Sequence, residues 1–232
     1  KNIKLIYTIP TFQNPTGVTW TLERRKSVVN IANKYNKVII EDNPYGELRF
    51  KGENLPSLQY FDESGNVVCF GTFSKIFCPG YRIAWVAANK EIIEKLVVIK
   101  QSTDLQCNTS AQMEISKYLE LNDIDKHIER IRELYKKRCE LALNTMEEEF
   151  PTCVEFNKPD GGLFTWIKLP ENIDARDLLK KCLERNVAFV PGGSFFPNGG
   201  HENYFRINYS NMPEDRIVDG IKIIGEVIRE YI

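Results

Sequence analysis

The chain has 232 residues, enough for one large domain or two modest ones with a buried core. Hydrophobic residues make up 42% of it and charged residues 27%, as in an ordinary globular protein. Because 31 basic residues balance 32 acidic ones to a net charge of −1, and no basic block or long apolar run occurs, we expect neither a nucleic-acid nor a membrane partner.

The first half of the chain alternates predicted strands with predicted helices. Strands are predicted at 3–9, 38–40, 67–71 and 83–88, and helices from Thr21 onward, at 90–100 and at 108–121. The first helix is expected to be capped by Thr21 and to bury four residues at helical spacing, Val28, Val29, Ala32 and Tyr35. The unbroken apolar run at 38–40 is typical of a strand covered on both faces. This alternation predicts a mainly parallel sheet with helix layers, the α/β class.

The second half has a different pattern. A single long amphipathic helix is predicted over 123–150, followed by short alternating strands at 163–169 and 204–209 and by helices at 175–185 and 214–231. This pattern is typical of a smaller α+β unit. We therefore predict two domains: residues 1–122 form the α/β domain, and residues 123–232 form a long bridging helix and a small C-terminal domain.

Cysteine and histidine are arranged in a way that argues against a metal site. The six cysteines form no CxxC pair and only two histidines occur, so we expect no zinc site or other metal. Scattered cysteines in a chain of this size indicate free thiols in a reducing compartment. Since no signal peptide is recognisable, the cytoplasm is the expected location.

Two stretches with polar side chains directly follow predicted strands. Asp42 comes at the end of the strand at 38–40, and in parallel sheets ligands bind beyond the carboxyl ends of strands. An Asp before Asn43-Pro44 is also a common turn former, and taken alone this is the simpler interpretation. The loop at 71–82 holds hydroxyls, Lys75 and Arg82, which together suit a phosphate group, although a solvated surface loop would look the same.

Two further stretches carry candidate side chains. The segment Thr11-Phe12-Gln13-Asn14-Pro15-Thr16-Gly17 also follows a strand, and its composition by itself favours a turn. Arg206 stands on the alternating strand at 204–209, where an arginine is usually solvated. None of the four stretches is diagnostic alone.

The four stretches in this order resemble motifs of the fold type I pyridoxal 5′-phosphate (PLP) aminotransferases of class I/II. Their sequences are most similar to those of the kynurenine/α-aminoadipate aminotransferase group. The resemblance extends over essentially the whole chain. The matching stretches read YTIPTFQNPTGVTWTLERR, VIIEDNPYGELRF, GTFSKIFCPGYRIAWV, GGLFTWIKLP, VAFVPGGSFFP and FRINYS. Six such stretches in order are far more specific than any one of them.

The resemblance implies PLP as the cofactor and assigns roles to residues that match the family motifs. Lys75 would form the Schiff base with the cofactor aldehyde and move the substrate proton. Asp42 would pair with the ring nitrogen of the cofactor, because the ring accepts electrons only while that nitrogen is protonated. Asn14 and Tyr45 would hydrogen-bond the phenolic oxygen of the cofactor, and Tyr45 counts with Lys75 and Asp42 among the expected catalytic residues.

The remaining implied ligands bind the phosphate and the substrate. Ser74 and Arg82 match phosphate ligands, with Thr72 as a third. Arg206 matches the arginine that binds the substrate α-carboxylate, with Asn14 beside it.

The implied reaction moves an amino group between an amino acid and a 2-oxo acid by a ping-pong mechanism, in a homodimer. Members of this family carry further sequence upstream of the first strand. We therefore expect this chain to be the C-terminal portion of such an enzyme, and to bind PLP weakly and be poorly active alone.

Two other functions share the same cofactor residues. One is a PLP-binding effector domain of a transcriptional regulator that carries a DNA-binding helix-turn-helix upstream. The other is a different fold type I PLP enzyme, such as a lyase, because the bond that breaks depends on substrate orientation, which the sequence does not show.

Overall fold

The computed structural model describes residues 3–232. The contacts divide the chain into two compact units. The first contains the residues up to Thr11 together with Thr19–Ile131, and the second contains Phe12–Val18 together with Arg132–Ile232.

A four-stranded sheet forms the centre of the first unit. Its strands, in spatial order, are β1 (Leu5–Thr8), β2 (Val38–Asp42), β3 (Val67–Thr72) and β4 (Ala84–Ala87). The first three strands are parallel, and β4 runs antiparallel to β3. The helices of this unit are α1 (Leu22–Lys34), α2 (Lys90–Thr103) and α3 (Thr109–Leu121). The predicted α/β class with a mainly parallel sheet is confirmed.

Helix α1 follows its sequence signals except at its end. The Thr21 side chain accepts a hydrogen bond from the Arg24 backbone N–H at 3.3 Å, as expected of a helix cap. Val29 and Ala32 are fully buried against the sheet residue Ile39. The prediction that Tyr35 is buried was wrong, since its side chain is 61% exposed. Because the helix ends at Lys34, Tyr35 has left the helical conformation and the buried face with it.

Strand β2 alternates between fully and partly buried residues. Ile39 and Glu41 are buried, whereas Val38, Ile40 and Asp42 are partly exposed, so the expectation of complete cover on both faces was wrong. The fully buried carboxylate of Glu41 accepts hydrogen bonds from the backbone N–H groups of Leu58 and Gln59. Burial outweighs these bonds and raises the pKa of the Glu41 carboxyl group.

Arg25 carries a second buried charge, and it interacts electrostatically with Glu41. Arg25 is 1% exposed, and its guanidinium donates to four acceptors within the first unit. Three of them are backbone carbonyls and one is a hydroxyl, and they belong to Pro10, Thr11, Trp20 and Pro56. Arg25 therefore links α1 to three separate loop positions.

The second unit combines an antiparallel sheet with helices. Its strands, in spatial order, are β5 (Glu155–Phe156), β6 (Phe164–Lys168), β8 (Tyr204–Asn208) and β7 (Val190–Pro191). Neighbouring strands are antiparallel throughout. Helices α5 (Ala175–Glu184) and α6 (Glu214–Arg229) belong to this unit, and the boundary between the units falls within α4 (Ile124–Glu149). The pattern after residue 150 thus has the α+β character that its sequence predicts.

Within residues 3–232, no helix combines the length and apolar character needed to cross a bilayer. Over the same residues, no cluster of three or more histidine, cysteine, aspartate or glutamate side chains could hold a metal ion.

The cysteines differ strongly in exposure, which leads to a labelling prediction. All six are free thiols. Burial and the neighbouring Glu41 carboxylate raise the pKa of Cys69 to about 12, and burial raises that of Cys182 to about 11. Since the thiolate is the reactive form, we expect iodoacetamide at pH 8 to alkylate the exposed Cys153 rapidly, with Cys69 and Cys182 protected.

Peptide mass spectrometry over a time course measures this order of labelling. In denaturant all six thiols should react at similar rates, which is the control for reagent and digestion. Labelling of Cys69 in the native protein as fast as Cys153 would contradict the burial of β3.

Candidate active site

The carboxyl ends of the parallel strands β2 and β3 carry candidate residues of the first unit. Asp42 is the last residue of β2 and pairs in register with Phe70 of β3. Lys75 lies in the loop that begins directly after β3, which ends at Thr72. Because the two strands are parallel, Asp42 and Lys75 leave the sheet at the same edge, where ligands of such sheets bind.

The Asp42 carboxylate is held by a residue that the sequence reasoning missed. Tyr7, near the end of β1, donates its hydroxyl to Asp42 Oδ2 at 2.6 Å. Tyr45, in the turn after β2, is 5% exposed. Tyr7 stands at the carboxyl end of a predicted strand, so the rule that singled out Asp42 could have found it too.

The loop after β3 gathers hydroxyl and guanidinium groups. Arg82 Nη1 donates to Ser74 Oγ at 3.4 Å and to the Pro79 carbonyl at 3.1 Å. The Thr72 hydroxyl accepts from the Ser74 backbone N–H at 3.1 Å and donates to the Ile83 carbonyl at 3.3 Å. Its proton is thus used within the loop, and the Ser74 hydroxyl and the Arg82 guanidinium form the donor pair.

The backbone of Arg82 has an uncommon conformation. Its φ of 56° and ψ of 36° lie in the left-handed region, which a residue other than glycine rarely adopts. Such a conformation costs on the order of 1 kcal/mol and persists where the surroundings impose it, often at functional sites. Here it turns the chain so that the Arg82 guanidinium contacts the loop carrying Ser74 and Lys75.

Asn14 and Arg206 come together in the second unit. Arg206 Nη1 donates to Asn14 Oδ1 at 2.6 Å, although the residues are 192 positions apart. The Arg206 guanidinium also lies 4.2 Å from the ring centroid of Phe164 and 5.7 Å from that of Phe195. These contacts fix the direction of a guanidinium that the sequence alone would place in solvent.

The segment around Asn14 is fixed by close backbone packing in the same unit. Asn157 donates its side-chain amide to the Thr16 carbonyl at 2.7 Å. Gly17 has φ +67°, and a Cβ added there would lie 2.7 Å from the Phe164 carbonyl oxygen. Only glycine therefore fits at this position without displacing β6.

Known proteins with similar sequences and structures include both enzymes and regulators. The chain is 47% identical over 230 residues to aromatic-amino-acid aminotransferase 1 of Thermococcus litoralis. The matched region covers 99% of this chain and 55% of that protein. The structure of α-aminoadipate aminotransferase from Thermus thermophilus, complexed with N-(5′-phosphopyridoxyl)-L-leucine, matches at a TM-score of 0.93 and 36% identity, covering 97% of this chain and 59% of the other. An uncharacterised HTH-type transcriptional regulator of Bacillus subtilis, YisV, is 31% identical over 226 residues, covering 97% of this chain and 46% of the regulator.

The chain spans about half the length of the curated relatives that it matches. A family model described as aminotransferase class I and II matches residues 2–224, which is nearly the whole chain. This match and the two aminotransferases above confirm the resemblance on which the sequence interpretation rests. The chain belongs to the class I and II aminotransferase family.

Proposed function

We propose that this chain carries the cofactor lysine and the substrate arginine of a PLP-dependent aminotransferase, which moves an amino group from an amino acid to a 2-oxo acid. The observation that supports this most directly is the common edge of β2 and β3. There an aspartate ends one strand and a lysine with hydroxyl and guanidinium neighbours follows the next. The solved relative bound to a phosphopyridoxyl compound supports the same cofactor.

The residues of the first unit fit PLP in their donor chemistry. A phosphate dianion needs directed donors and positive charge, which Ser74 and Arg82 provide together. A protonated ring nitrogen needs a carboxylate, and Asp42 is the carboxylate at the strand end. An aldehyde needs a primary amine, and Lys75 is in the same loop as the phosphate donors. We therefore propose Ser74, Arg82, Asp42 and Lys75 as cofactor residues, with Thr72 ordering the loop through its bond to Ser74.

When bound, PLP supplies an aldehyde that condenses with primary amines and a ring that accepts the electron pair left when a neighbouring C–H bond breaks. Lys75 Nζ would bond to the aldehyde carbon with loss of water, and once the substrate amino group had displaced it, the freed amine would remove the proton from the substrate Cα. Asp42 keeps the ring nitrogen protonated through its charge and a hydrogen bond.

In this proposal Arg206 binds the substrate, and Asn14 contacts both Arg206 and the cofactor. Two parallel N–H groups of Arg206 bind and orient the α-carboxylate that every amino acid and 2-oxo acid carries. Asn14 uses its Oδ1 to accept from Arg206 and so retains its Nδ2 group as a donor for the cofactor phenolic oxygen. Tyr45 is proposed as the second donor to that oxygen. The amino donor and the 2-oxo acid use the same residues in turn, which is a ping-pong scheme.

The assembly and location of the protein are also proposals. We propose a homodimer, because α2 exposes three apolar side chains in this chain, Val97, Val98 and Ile99, at 50–62%. Six free thiols suit a reducing compartment, so we propose the cytoplasm.

A PLP-binding effector domain is the second candidate, since the regulator YisV is 31% identical to the chain. The enzyme is favoured because the identity to the T. litoralis aminotransferase is 47%. Turnover distinguishes the two functions, because an effector domain can bind the cofactor without releasing an oxo acid.

The test is a panel of amino donors with 2-oxoglutarate as acceptor, using the full-length protein loaded with PLP. We expect turnover with at least one donor and parallel double-reciprocal plots, as in ping-pong kinetics. A matched amine that lacks the α-carboxylate should show kcat/KM lower by about 10–100-fold, the effect of losing a charge-assisted hydrogen-bonded contact. Cofactor binding without turnover of any donor would favour the regulator instead.

A further inference from the structure

Tyr7 and Asp42 lie next to each other on one face of the sheet. In the parallel register of β1 and β2, Tyr7 pairs with Ile40. Since side chains on a strand alternate between faces, Asp42, two residues beyond Ile40, projects on the same side as Tyr7. The geometry joins them by a hydrogen bond of 2.6 Å from Tyr7 Oη to Asp42 Oδ2.

The direction of this hydrogen bond is set by the chemistry of the two groups. Tyr7 is 58% exposed, and partial burial, the bond to Asp42 and the negative charge of that carboxylate together raise the pKa of its phenol to about 12. The phenol therefore keeps its proton over the physiological pH range and acts as the donor. A donor on a carboxylate stabilises the charged form of the carboxylate and restricts its rotation.

We propose that Tyr7 is a positioning residue for the cofactor, acting through Asp42. Tyr7 occupies one carboxylate oxygen, fixes the orientation of the group and leaves the other oxygen to receive the N–H of the cofactor ring. This inference rests on the proposed function, in which Asp42 pairs with that ring nitrogen. It adds a third group, the Tyr7 phenol of β1, to the pair formed by Asp42 and the ring.

The loss of the phenol has a defined expected consequence. Without the donor, the Asp42 carboxylate loses the contact that orients it toward the ring nitrogen, so a smaller fraction of the ring is cationic. The chemical step depends on the cationic ring, whereas substrate binding depends on other groups. Tyr7→Phe should therefore lower kcat by about tenfold, the effect of one hydrogen bond to a charged group, and leave KM for the amino donor unchanged.

The experiment is a double-mutant cycle in the full-length PLP-loaded protein, comparing wild type, Tyr7→Phe, Asp42→Asn and the double variant. The readouts are kcat, KM and the ¹⁵N chemical shift of PLP labelled at its ring nitrogen, which reports protonation independently of turnover. Tyr35→Phe is the matched control, because Tyr35 is 61% exposed at the end of α1 and belongs to neither β1 nor β2.

The inference is supported if Tyr7→Phe lowers kcat, moves the ring-nitrogen shift toward that of a neutral pyridine, and has no further effect once Asp42 is Asn. It is overturned if Asp42→Asn is severely impaired while Tyr7→Phe equals wild type, or if Tyr7→Phe costs the same factor in both backgrounds. If Asp42→Asn itself leaves kcat and the nitrogen shift normal, the assignment of Asp42 in the proposed function fails, and the role of Tyr7 fails with it.

Discussion

Replacing Lys75 with alanine is expected to reduce transamination by the full-length protein by about 10⁴-fold, the upper end of what a general base contributes. The effect is large because one side chain has two tasks in the proposed function. Its amine is the nucleophile toward the cofactor aldehyde, and later the base at the substrate Cα. No other lysine follows β3 at the strand edge, within residues 73–82.

Two measurements check this prediction. The first is kcat with the best donor of the panel. The second is borohydride reduction of the PLP-loaded protein followed by peptide mass spectrometry, which should find the cofactor mass on the peptide containing Lys75. Lys90→Ala is the control, because Lys90 lies at the start of α2 with 89% of its side chain exposed. Retained turnover in Lys75→Ala, or labelling at another lysine, would remove Lys75 from the site.

Replacing Arg25 with methionine is expected to lower the free energy of unfolding by about 3–5 kcal/mol, the usual cost of removing one partner from a buried charged network. Arg25 is 1% exposed, and its guanidinium donates to four acceptors at 2.7–3.2 Å. Burial lowers the pKa of Arg25 while the Glu41 carboxylate raises it, and a guanidinium stays protonated under all ordinary conditions. Methionine fills the volume but leaves these acceptors and Glu41 without their donor and counter-charge.

Urea denaturation gives the free energy of unfolding for this comparison. Arg24→Met is the matched control one residue earlier, because Arg24 is exposed and only lies over the Trp20 ring at 5.8 Å. We expect that variant to lose no more than about 1 kcal/mol. Arg25→Lys should fall between the two, since an ammonium keeps the charge but cannot direct bonds to all the same acceptors. An Arg25→Met protein as stable as Arg24→Met would mean that the buried network contributes little.

Local sequence patterns were sufficient for the longer elements of this fold. Every long helix and the strands at 5–8, 67–72, 164–168 and 204–208 lie where periodicity and caps predict them. The two-residue strands β5 and β7 were missed, since two residues carry no periodicity. The family motifs further singled out Asp42, Lys75, Asn14 and Arg206 as residues of one chemistry.

Contacts between distant residues were decided only by the tertiary structure. Strand pairing brings Tyr7 onto Asp42 across 35 positions, and packing of the segment Phe12–Val18 within the second unit brings Asn14 onto Arg206 across 192. Arg25 looks like any exposed helix arginine in the sequence, beside Arg24 and Lys26, yet it is 1% exposed because the loops carrying its four acceptors close over it. A sequence pattern reports which local conformation a segment prefers, whereas burial and side-chain pairing depend on strand register and on loops that come from elsewhere in the chain.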